Sequence, residues 1–151
     1  MAEGGAAGAG PRGVKDAQRE APQQFDLLAI DAFSGDAIPT HLLSDEAMDL
    51  YLRHVRSDGA ILFHVTNRYL ELAPVVARIA VSRGLRVGLI EHEPNDEEES
   101  LYHSISDWVV VPRNAALLAE LEVAKVLKPI AYGESTPLWT DDFNNLLRVL
   151  K

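Results

Sequence analysis

The chain has 151 residues with an apolar content of 47%, enough for one folded domain with a real core and too much for disorder over most of its length. A formal net charge of −9 argues against nucleic acid or an anionic membrane as partner and suits a cationic small molecule, although acidity also serves plain solubility. The absence of cysteine excludes disulfides, thiolate catalysis and cysteine metal sites.

No apolar stretch approaches the length of a membrane span, so no membrane contact is expected. The start, Met-Ala-Glu-Gly-Gly, lacks the basic and apolar regions of a signal peptide, and the expected location is cytoplasmic. Residues 1–20 are expected to form a disordered, Gly/Ala-rich segment ahead of an α/β unit over 21–151. Gly8, Gly10 and Gly13 match G-x-G-x-x-G, but no strand is predicted before them and the local composition produces that spacing by chance.

Phe25 to Asp31 is the first predicted strand, an apolar run that suits burial on both faces. It ends abruptly on Asp31, at the carboxyl end, where open α/β sheets place their ligands; Asp31 equally suits a cap for the turn that follows. A loop with Gly35 and Asp36 leads to a helix predicted over Pro39 to Arg56, with Leu42, Leu43, Ala47, Leu50, Tyr51 and Val55 on one face. Ser57-Asp58-Gly59 is expected to stop it, with Gly59 able to take a left-handed conformation. Ala60 to Val65 is the second strand, and Thr66-Asn67-Arg68-Tyr69 is the loop at its carboxyl end. Asn67 suits a cap for the next helix, predicted over Leu70 to Arg83 and closed by Gly84. Pro74 falls early in that helix, where it is tolerated.

Leu85 to His92 is the third strand, Glu91 to Ser100 a solvated acidic loop, and Ser106 to Pro112 the fourth strand. A helix is predicted over Asn114 to Val126, followed by loop and a last helical turn over Phe143 to Leu150. Asp141 and Asp142 read as a cap or first-turn acids for that turn. Alternating strands and helices imply parallel crossovers for the first three strands. The helix-free connection to the fourth implies a hairpin, hence an antiparallel strand. His41, His54, His64, His92 and His103 show no metal spacing, and no metal is expected.

This order resembles the second half of a methyltransferase-type Rossmann fold. The run Phe-Asp-Leu-Leu-Ala-Ile-Asp-Ala-Phe-Ser-Gly-Asp-Ala-Ile-Pro from Phe25 resembles the spermidine synthase (polyamine aminopropyltransferase) family. So do Asp58-Gly59-Ala60-Ile61-Leu62, His64-Val65-Thr66-Asn67-Arg68-Tyr69-Leu70, Ser106-Asp107-Trp108-Val109 and Leu138-Trp139-Thr140-Asp141-Asp142-Phe143. The resemblance implies a truncated α/β domain with sheet order 4-5-7-6 in methyltransferase strand labels, one antiparallel strand, and helices on both faces. It implies decarboxylated S-adenosylmethionine, or S-adenosylmethionine itself, as co-substrate and a cationic polyamine such as putrescine as acceptor. Asp31 matches the acid that contacts the reacting amine, Asp36 the acid that holds the rest of the polyamine, and Asn67 and Tyr69 would line the same mouth. Asp16 and Ala32 would lie beside the cofactor. The glycine-rich cofactor loop that this family carries on its first strand has no counterpart here.

Two other readings stand beside this one. A methyltransferase-like enzyme would use another acceptor. A non-catalytic remnant would act by association, as a homo-oligomer or through the edge of strand 25–31, which is left open where strand one would pair. Asn67 equally suits a cap alone, and Tyr69 packing alone.

Overall fold

The computed structural model describes residues 7–8, 18–31, 40–67, 69–96, 105–123 and 125–151. Strands are β1 (Ala7–Gly8), β2 (Phe25–Ile30), β3 (Val55–His64), β4 (Gly88–His92) and β5 (Ser106–Pro112). Helices are α1 (Asp45–His54), α2 (Ala73–Ser82) and α3 (Ala115–Val123), with short 3₁₀ turns at Thr40–Leu42 and Leu146–Val149. The sheet runs β1-β2-β3-β5-β4. β2 pairs with β3 in parallel, whereas β5 is antiparallel to both β3 and β4. From β2 onward this is the expected 4-5-7-6 order with its antiparallel inserted strand, so the α/β reading holds.

β1 lies parallel to β2, with Ala7 opposite Leu28 and Gly8 opposite Ala29. A strand therefore does precede Gly10 and Gly13, and it occupies the outer edge of β2 at Leu28 and Ala29. Further on, Arg53 donates to the carbonyls of Gln18 and Glu20, at 3.0 and 2.6 Å, fastening the approach to β2 onto α1.

α1 starts where its chemistry dictates. The Ser44 Oγ accepts from the Ala47 amide at 3.1 Å, and Asp45 and Glu46 occupy the positive first turn. The helix is shorter than Pro39 to Arg56 and does not end on a glycine turn. The chain passes from His54 directly into β3, which begins at Val55 rather than Ala60. Gly59 serves a different purpose from the one expected. A Cβ there would lie 2.6 Å from the Asp26 carbonyl oxygen, so glycine permits a close approach of β2, beside an irregularity in register between Phe25 and Leu27. Gly84 does take the left-handed conformation, φ 71°, at the end of α2. α2 begins at Ala73, not Leu70, because Pro74 sits in its first turn and Leu70 bridges to Leu150.

Side chains in register across a sheet share a face. Leu28, Ile61 and Val111 form one row, and Ile30, Phe63 and Val109 the next, all nearly inaccessible to solvent. Ala47, Met48 and Tyr51 of α1 and Val75, Val76 and Ile79 of α2 pack on that face, with the Tyr51 and Phe63 ring centroids 5.8 Å apart. Burial of each large side chain here stabilises the fold by about 1.5–3 kcal/mol. Arg83 ties the two helices together through ion pairs to Asp45, at 2.8 Å, and to Asp49.

The alternate positions of β2 face the other way, and there the expectation of two-sided burial is not met: Leu27 is 37% exposed. Asp31 continues that less covered row, which includes Ala29 and Leu62.

The C-terminal stretch is a strap across α1. Trp139 is fully buried, and its carbonyl accepts from the Asp45 amide at 2.8 Å. Asp141 accepts from the Ser44 hydroxyl at 2.6 Å, and the Asp141 amide donates to Glu46 at 2.9 Å. Asp141 thus braces the start of α1 instead of capping the last turn, a task that falls to Asn145.

Candidate functional site

The parallel pairing of β2 with β3 brings their carboxyl ends side by side. Ile30 lies opposite Phe63, so Asp31 and His64, one residue further along each strand, fall next to one another. The His64 Nδ1 lies 2.9 Å from the Asp31 Oδ1. A carboxylate accepts, so Nδ1 donates. Asp31 remains 60% exposed while His64 is 22% exposed, with its Nε2 atom buried. The polar group this pair presents outward is therefore the Asp31 carboxylate, not the imidazole.

On the next strand, Trp108 is the register partner of His64. The two rings stack with centroids 4.8 Å apart and planes 19° from parallel. Trp108 donates its indole N–H to the Ser106 hydroxyl at 2.7 Å.

The loop after β3 is fastened down by backbone contacts. Val65 donates to the Asp107 carbonyl at 2.8 Å, and the Asp107 amide donates to the Thr66 hydroxyl at 2.6 Å. The Asn67 side-chain oxygen accepts from the amides of Tyr69 and Leu70, at 2.9 and 2.8 Å, and the Asn67 carbonyl accepts from the Lys151 ammonium at 2.8 Å. Asn67 thus shapes the loop, although α2 begins only at Ala73. Tyr69 is 60% exposed on the same loop. Asp16, Ala32 and Asp36 lie outside the described residues.

Negative charge gathers around these strand ends. Glu91 stands directly opposite Asp107 across β4 and β5. Burial raises the Asp107 carboxyl above its ordinary range, and Glu91 and Glu93 add to that, against smaller opposing effects of Lys151 and His64. By strand alternation Asp107 points to the opposite face from Trp108, so the two lie on either side of β5. Among the described residues no group of three or more His, Asp or Glu side chains is arranged to hold a metal ion. No helix among them is long and apolar enough to cross a membrane.

Sequence reasoning located Asp31 but not its partner. His64 and Trp108 stand in runs that carry the resemblance, but neither has a task of its own there. The signal that unites them is register: Asp31 and His64 stand side by side at the carboxyl ends of two strands whose pairing has to be known first.

No family model matches the chain, and no curated protein matches it. Among solved structures, the crystal structure of MNMC2 from Aquifex aeolicus is similar, with a TM-score of 0.45 and 16% identity over 67% of this chain. The match spans only 28% of that protein's length.

Proposed function

We propose that this chain is the acceptor-side half of a spermidine-synthase-like transferase, in which Asp31 receives a cationic amine. One observation carries the reading: an exposed carboxylate at the carboxyl end of a parallel strand, held by an imidazole from the neighbouring strand. That is the position at which open α/β sheets take ligands. The net charge of −9 favours a cation there.

The chemistry requires such a group. An alkylamine is protonated near neutral pH and has no lone pair to offer. Asp31 orients the ammonium and takes one proton; the freed lone pair attacks the carbon beside the sulfonium of decarboxylated S-adenosylmethionine. The carbon–nitrogen bond forms, the carbon–sulfur bond breaks, and its electron pair stays on sulfur as neutral methylthioadenosine. Asp36 would pair with the second ammonium of a diamine, and Tyr69 and Asn67 would border the entrance. Asp16 and Ala32 would meet the nucleoside of the co-substrate.

The test is release of methylthioadenosine from decarboxylated S-adenosylmethionine, with and without putrescine. Amine-dependent release, lowered about 10²–10⁴-fold in Asp31→Asn, is the expected result. Turnover of S-adenosylmethionine instead would mark methyl transfer. Failure to bind either ligand at millimolar concentration would leave a non-catalytic association domain.

A further inference from the structure

We propose that His64, braced by Trp108, is a positioning residue that fixes the direction in which Asp31 presents its carboxylate to the amine. The inference rests on the functional reading above and gives His64 and Trp108 a task that reading leaves unassigned.

An aspartate at a strand end, 60% exposed, has its rotamers open to it unless something holds them. Here one oxygen, Oδ1, is held by His64 Nδ1 at 2.9 Å, which anchors that oxygen and narrows the directions the carboxylate can take. An imidazole by itself is a poor anchor, because its terminal torsion is broad and two-fold. The Trp108 ring lies against it, nearly parallel at 19°, and removes that freedom. Trp108 is held in turn by its bond to the Ser106 hydroxyl. Ser106 and Trp108 on β5, His64 on β3 and Asp31 after β2 thus form a continuous brace across three strands.

A bare surface ion pair does not account for this arrangement. Such pairs contribute roughly 0–1 kcal/mol, and nothing about them calls for an aromatic ring against one partner and a buried Nε2. A transfer reaction does call for it. The amine nitrogen must lie in line with the carbon it attacks, and misplacement by about 1 Å costs on the order of a hundredfold in rate. A carboxylate pinned at one oxygen holds an ammonium along one line; a swinging carboxylate does not.

The test uses the full chain with ¹⁵N-labelled histidine and putrescine as probe, in the presence of methylthioadenosine. In the wild-type protein the His64 signal should report an Nδ1-protonated ring. It should move on adding putrescine while His41, His54 and His92 stay in place. Affinity is measured in parallel by calorimetry. His64→Phe keeps a ring against Trp108 and removes the donor; putrescine affinity should fall about tenfold. His64→Asn restores a donor near the place of Nδ1 and should recover most of that loss, which separates positioning from a structural role. If putrescine binds the wild type but His64→Phe binds equally well and the imidazole signal is silent, the positioning role is overturned and the functional reading stands. If putrescine does not bind the wild type at all, the functional reading falls and the role of His64 falls with it.

Discussion

Glu91 and Asp107 stand opposite one another on β4 and β5, and like charges in that position destabilise a sheet. Burial first, and the Glu91 charge after it, raise the Asp107 carboxyl. A carboxyl whose folded value lies above the unfolded one, about 3.9, contributes most to stability when protonated. That contribution is present below the unfolded value and is lost as pH rises through the folded one. Asp107→Asn should therefore stabilise the protein at pH 7 by about 0.2–1 kcal/mol, an advantage that shrinks as pH falls toward 3. Denaturant midpoints of the two proteins across that range check it. Tyr51 lies at the other extreme of the same physics: its phenol is buried, donates to the Leu42 carbonyl at 3.1 Å, and is pushed upward by burial with the Asp141 charge adding.

Elements were legible where a single local cause shaped them and obscure where a distant contact did. Ser106 to Pro112 is a strand by its own composition, and Gly84 ends α2 through a backbone conformation glycine favours. Gly59 misleads because a turn glycine and a glycine at a close approach look alike in sequence. The Asp26 carbonyl, which settles the matter, lies 33 residues away. Gly59→Ala should cost about 1–3 kcal/mol, because the obstructing atom is backbone and cannot rotate aside. Thermal unfolding measures it, and an unchanged midpoint would mean that β2 and β3 do not approach as described. Trp139 was part of a quoted motif with no structural task attached. It proves to be the anchor of the C-terminal strap, and Trp139→Ala should destabilise by about 3–5 kcal/mol. Proteolysis should then cut preferentially within the strap, between Pro129 and Lys151, before the sheet is touched.

For the molecule as a whole, strand direction followed from the alternation of elements and from one missing crossover helix, both visible along the chain, whereas strand order followed from the resemblance. The site was half visible. Asp31 stands out because an acid breaks an apolar run. His64 and Trp108 do not, because their relation to it exists only after three strands have been set in register. The same register explains why the less covered face of the sheet carries the Asp31 carboxylate: α1 and α2 cover the rows of Ile61 and Phe63, and Asp31 belongs to the alternate row. The central claim is that this carboxylate receives an amine cation. Calorimetric titration of putrescine, with methylthioadenosine present, into the wild-type chain and Asp31→Asn at low and physiological salt tests it most directly. The account predicts binding that weakens as screening rises, at a Debye length of about 8 Å in physiological salt, and that drops at least about tenfold in Asp31→Asn. Equal affinity of the two proteins for putrescine would contradict it.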